Sequence, residues 1–210
     1  MYVPSHFSVD EATTRHFLAE FDTADLVTMT PRGLVATFLP VLYEPAPEGY
    51  GSLVGHVARS NDQWQLPVLG DAMMVLHGPD AYISPSWYPS KAAHGRVVPT
   101  WDYVTAHVYG QFVAHDDPVW LESLVRRLTD KHEAGSPRPW SVDDAPAPYV
   151  AGQLRAIVGV EVVISRAEAK AKWSQNRPGS DIDGVIEGLR AAGHAYAAEA
   201  VLRSLPSLGA

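Results

Sequence analysis

The sequence predicts a mainly β fold with peripheral helices, arranged as a small closed or split barrel. Three observations lead there. Six or seven short strand-like runs follow one another with turn signals between them. Helical spacing appears only near the two ends and after one long strand. No regular alternation of strand and helix is present, which argues against a parallel doubly wound sheet.

The elements follow in order. Ser8-x-x-Glu11 has the form of a capping box, and Phe17, Leu18 and Phe21 give the helix behind it an apolar stripe. Asp25 to Thr30 is β-rich, Pro31-Arg32-Gly33 is a turn, and Leu34 to Tyr43 is a second strand, so the pair reads as a hairpin. Pro40 marks a bulge or an edge in that strand. Ser52 to Val57 is a short strand, and ARSNDQW after it is a helical turn or loop. Asp71 to His77 and Ala81 to Ser84 read as two strands separated by Gly78-Pro79. From Val104 to His115 apolar and polar residues alternate, with Val104, Ala106, Val108, Gly110, Phe112 and Ala114 on one face. Asp117-Pro118 opens a helix carried by Leu121, Leu124, Val125 and Leu128, with Gly135 beyond its end. Ser136 to Pro148 is a Pro-rich loop and Tyr149 to Arg155 a short helix. Ile157 to Ile164 is a strand. Ile182, Val185, Ile186 and Leu189 mark a further helix, and a last one is expected from about Ala195 to Leu205.

The 210 residues suit one domain, and 46% hydrophobic residues suffice for a sizeable core. No apolar run reaches the roughly 20 residues of a membrane span. The start MYVPSHFSVD lacks the basic and apolar regions of a signal peptide, so cytoplasmic residence is expected. Cysteine is absent, which excludes disulfides, zinc–thiolate sites and cysteine nucleophiles. A formal charge of -8 argues against tight non-specific binding to nucleic acid. The histidines show no HxxxH or HExxH spacing, so no metal site is predicted, and P-loop, GxGxxG and GxSxG motifs are lacking.

Three clusters remain. In Gly55 to Trp64, His56, Arg59, Asn61 and Gln63 fall within one segment, and the Arg59 fork suits a phosphate. An arginine paired with a carboxylate in a structural loop accounts for it equally well. From Ala81 to Tyr103, Ser84, Ser86, Tyr88 and Lys91 offer donors, Trp87 and Trp101 offer planes, and Pro85, Pro89 and Pro99 stiffen the chain. Such a mixture suits a flat, phosphorylated ligand; inward-packed aromatics are the alternative. Lys172 to Arg177 (KWSQNR) again combines cations, an aromatic and amides, or is a solvated turn after a strand.

In this order the motifs resemble the PaiB family, the FMN-binding negative transcriptional regulators. The resemblance runs through Met1-Tyr2-Val3-Pro4 with His6-Phe7, Leu26-Val27-Thr28, Gly55 to Asn61, Tyr82 to Tyr88 and Val98 to Tyr103. It continues through Leu128-Thr129, His132-Glu133, Ile157-Val158-Gly159 and Lys172 to Arg177. Asp102 departs from it, since the family pattern carries Asn there. The resemblance implies a single FMN-binding split β-barrel domain over residues 1–210, antiparallel and of Greek-key type. An N-terminal helix and a helical segment at about 181–205 would flank it. It implies FMN as cofactor and a homodimer with the flavin at the subunit interface. Arg59 and Lys91 are then the expected phosphate ligands, Ser84 and Ser86 hydroxyl donors, and Trp87, Trp101 and Tyr103 ring walls. His56, Asn61 and Thr100 join the site, and Lys172, Gln175, Asn176 and Arg177 close it. The implied function is negative transcriptional regulation, expected to be indirect and without DNA contact given the acidic charge. The alternative is a flavin-dependent oxidoreductase that uses FMN and a reduced nicotinamide.

Overall fold

Thr30 and Gly33 face each other across the first hairpin, and from there the pairing runs back to Thr23 opposite Pro40. The computed structural model describes residues 1–204. The expected last helix is α6, Ala195–Ser204, and Leu205 lies outside the described residues. The other helices are α1 (Glu11–Glu20), α2 (Pro89–His94), α3 (Pro118–Glu133), α4 (Ala147–Leu154) and α5 (Gly179–Ala191). The strands are β1 (Thr23–Thr30), β2 (Gly33–Glu44), β3 (Ser52–Ala58), β4 (Ala72–Ile83), β5 (Thr100–His115) and β6 (Ile157–Lys172). They close into a barrel in the order β1-β2-β3-β6-β5-β4. Strands 1 to 3 and 4 to 6 are neighbours in sequence, while the step from β3 to β4 skips across, as a Greek key does.

The chain forms two compact units. One comprises, among the described residues, Met1–Thr14, His77–Ala106 and 169–204; the other comprises Arg15–Leu76 and His107–Glu168. The core of the second unit is drawn from alternate strand residues: Leu26, Leu39, Val41, Leu53, Met74, Val158, Val160 and Val162 are all buried. Burying each such side chain contributes about 1.5–3 kcal/mol. On α3, Leu124 and Leu128 pack with Val54 of β3, joined by Trp120 and Leu42. In the first unit Ile83, Val104 and Ala106 are buried on strands, and Ile182, Val185, Ile186 and Leu189 on α5. There α5 lies beside α6 and α2.

Four expectations change. Asp10, not Ser8, opens α1: its carboxylate accepts the Thr13 N–H at 2.8 Å, while Ser8 bridges to Lys170 of β6. Asp71 to Ser84 holds one strand rather than two. The register of β1 against β4 covers Met73 to Leu76, so Pro79, which has no N–H to give, lies past that register. Both β5 and β6 are 16 residues long and reach further than alternation suggested. Thr100 to Tyr103 and Lys172 therefore stand on strands instead of loops. Finally, Ala81 to Tyr103 is more regular than its prolines imply: a 3-10 turn at Pro85–Trp87 leads straight into α2. Pro40, read as a bulge or edge, sits where β2 leaves β1 for β3, opposite Thr23 and next to the Val41–Gly55 pair.

Candidate functional site

The polar groups of the first unit gather where the start of β5 meets the end of β6. Lys172 Nζ donates to Thr100 Oγ1 at 2.6 Å, to Asp102 Oδ1 at 3.2 Å and to the Trp101 carbonyl. Asp102 is fully buried, and Ser174 Oγ donates to its other oxygen at 2.7 Å. Burial pushes the Asp102 carboxyl above its ordinary range, and the Ser174 hydroxyl, Lys172 and Arg177 offset this only in part. Two residues before Lys172 on the strand, Lys170 Nζ donates to the Tyr103 hydroxyl at 2.7 Å. The Phe7 ring lies 5.8 Å from Lys170 Nζ and 5.9 Å from Lys172 Nζ.

The turn after β6 is built by its own side chains. Gln175 Oε1 accepts the Trp173 N–H at 2.6 Å, and its Nε2 donates to the Ala171 carbonyl at 2.7 Å. Ser174 adopts φ 60°, a left-handed conformation costly for a non-glycine residue, and its bond to Asp102 holds it there. Arg177 stacks over the Tyr88 ring at 4.8 Å. The Tyr88 hydroxyl is buried without a hydrogen-bond partner, and burial raises its phenol despite the nearby guanidinium. Asn176 is exposed.

Two aromatic planes face outward. Trp101 is 50% and Tyr82 52% exposed, and they meet edge to face at 6.1 Å. Tyr82 is absent from the candidates drawn from sequence, although its place between buried Ala81 and Ile83 on a strand signals an outward side chain. Trp87 is half-buried against α5. A Cβ on Gly188 would come within 2.2 Å of its ring and one on Gly184 within 2.0 Å of its carbonyl, so these two glycines of α5 form its seat. Ser84 Oγ accepts the Ser86 N–H, and Lys91 Nζ donates to Ser86 Oγ at 3.2 Å.

His56, Arg59 and Asn61 belong to the second unit. Arg59 donates to both oxygens of Asp116 and to the carbonyls of Arg155 and Ile157, tying the end of β3 to the start of β6. Its guanidinium holds the Asp116 carboxyl below the usual range. Asn61 caps the following turn and donates to Thr37 Oγ1 at 2.9 Å. Buried Gln63 beside it donates to the Leu26 carbonyl and Thr28 Oγ1. His56 Nδ1 is buried without a partner, and burial lowers this imidazole, which favours its neutral form.

Comparison with known proteins defines the class first. The chain shares its fold with the flavocytochrome Anf3 of Azotobacter vinelandii, with a TM-score of 0.53 at 12% identity over 78% of this chain and 67% of that one. It also shares it with the conserved hypothetical protein Rv2991 of Mycobacterium tuberculosis, with a TM-score of 0.54 at 14% identity over 85% and 94%. Residues 1–166 match the family described as "Putative FMN-binding domain". Over 192 residues the chain is 32% identical to the "Protease synthase and sporulation protein PAI 2" of Bacillus subtilis, covering 90% of this chain and 89% of that one. The chain belongs to this PaiB-like family of FMN-binding proteins, and its cofactor is FMN.

Proposed function

We propose that this chain holds FMN on its first unit and acts as a PaiB-like negative regulator whose effect on transcription is indirect. The observation that carries the flavin reading is the pairing of outward aromatic planes with a buried cation, Lys170, in the same unit. Trp101 and Tyr82 offer a wall for the ring. Lys170 offers an ammonium donor and Thr100 and Tyr103 offer hydroxyl donors, with Lys172 bonded to Thr100. That donor set suits a planar ring bearing a phosphate monoester. Ser84, Ser86, Lys91 and Arg177 stand on the same unit as further candidates. In the second unit Arg59 is bonded to Asp116 and Asn61 to Thr37, and His56 stands there as a further candidate. When bound, FMN supplies electron transfer chemistry, and the protein supplies its binding and orientation.

A single domain over residues 1–210, a homodimer with the flavin at the subunit interface and a cytoplasmic location complete the reading. The outer face of the hairpin supports self-association: Leu34 (69% exposed), Phe38 (67%) and Met29 (43%) lie together on it. No helix among the described residues is long and apolar enough to cross a membrane. The charge of -8 supports an effect exerted through a partner or small molecule rather than on DNA. The test is the absorbance of the purified protein after FMN titration, together with a gel-shift assay at physiological salt. Saturable flavin binding without specific DNA retention is expected. Absence of flavin binding, or a tight specific DNA complex, refutes the corresponding half.

A further inference from the structure

We infer that Lys170 is the phosphate anchor of this site, its ammonium held in place by the Tyr103 hydroxyl. The inference rests on the FMN reading and goes beyond it by assigning the charge that recognises the phosphate monoester. Lys170 is only 9% exposed, and no carboxylate among the described residues lies within ion-pair distance of it. An ammonium carries three donors, and Tyr103 Oη takes one of them. A buried cation without a counter-ion pays desolvation unrepaid. The rings of Phe7 and Tyr103, at 5.8 and 5.0 Å, attract the cation without cancelling its charge.

The other candidate cations are engaged differently: Arg177 lies over the Tyr88 ring, 4.8 Å from its centroid, on the turn after β6. Lys172 is engaged by three oxygens, one of them the Asp102 carboxylate. Lys91 is exposed and bonded to Ser86, and Arg59 is paired with Asp116. The two-residue period of β5 sets Tyr103 on the same face as Trp101. Through the Tyr103 hydroxyl the unneutralised buried cation is thus tied to the strand that carries the outward Trp101. A ligand with a flat ring at one end and a dianion at the other matches both. Lys170 was missed in the sequence because the strand expected there ended at Ile164; once β6 reaches Lys172, Lys170 and Lys172 fall two apart on one strand face.

Lys170→Met keeps the length of the side chain and removes the charge. The affinities of FMN and riboflavin, which differ only by the phosphate, are measured for parent and variant by quenching of flavin fluorescence. The parent is expected to prefer FMN. The variant is expected to lose about 10- to 100-fold in FMN affinity, the worth of a charge-assisted bond, with riboflavin affinity unchanged. Without flavin the variant should melt no lower than the parent, because an unpaired buried charge has been removed. A retained FMN preference, or a lower melting temperature with that preference intact, overturns the anchor and leaves the flavin reading standing. A parent that binds neither flavin overturns both. If Lys170→Met does not fold, Tyr103→Phe, which frees the ammonium, must reduce the preference, and Lys170→Arg must keep it; an unchanged preference in Tyr103→Phe overturns the inference.

Discussion

Replacing Asp102 by Asn removes a fully buried charge while leaving both of its contacts in reach. Asn Oδ1 can still accept from Lys172 Nζ, which keeps Thr100 and the Trp101 carbonyl as well. Asn Nδ2 can donate to Ser174 Oγ, reversing the present bond. Burial is the largest influence on the Asp102 carboxyl and raises it, so the folded chain binds this proton more tightly than the unfolded chain does. The stability this gives is fully present below the unfolded value of about 3.9 and is lost as pH rises through the folded one. Each tenfold in proton affinity amounts to about 1.4 kcal/mol at neutral pH. Weakening the two hydrogen bonds and leaving the Lys172 ammonium without its carboxylate offset part of the gain. The variant is expected to be more stable than the parent by about 1–2 kcal/mol at pH 7.5, with the advantage closing toward pH 4. Urea unfolding followed by tryptophan fluorescence at several pH values measures it. An advantage that stays flat, or grows as the solution is acidified, would show that the Lys172 ion pair outweighs burial and would refute the reasoning.

Three further outcomes are expected. Gly188→Ala drives a methyl toward the Trp87 ring, 2.2 Å from the new Cβ, and should cost about 1–3 kcal/mol in urea unfolding. Trp101→Ala removes a half-exposed plane and should weaken FMN and riboflavin alike by about tenfold, with the melting temperature nearly unchanged. Arg59→Ala frees Asp116 and two carbonyls, so calorimetry should find a lower melting temperature, while flavin titration finds unchanged affinity.

Much of the barrel is readable from alternation. The hairpin of β1 and β2, the apolar face of β5 from Val104 to Gly110 and the Asp117 cap of α3 stand where the local pattern places them, while Ala114 at the end of β5 is exposed. Alternation breaks down at Gly78-Pro79, because a strand tolerates proline only where no partner needs its N–H, and pairing is not a local property. The site divides in the same way. Lys172 and Trp101 announce themselves by residue type, but residue type says nothing about which donors are already taken. Arg59 and Lys170 are both cations near strand ends; one faces Asp116 and the other faces no carboxylate. Trp87 and Trp101 are both aromatics in one stretch; one is seated on Gly184 and Gly188, far along the chain, and the other is half exposed.

By itself the sequence determines a β-barrel with outer helices, an acidic chain without cysteine chemistry, and the motifs of an FMN-binding family. Those properties reside in composition, period and local spacing. Only the tertiary structure decides which cation remains unneutralised, which aromatic faces outward and whether Asp102 is buried. Each depends on what strands and helices distant in the chain bring against that side chain, and burial and pairing, rather than residue type, set the energy of a charge.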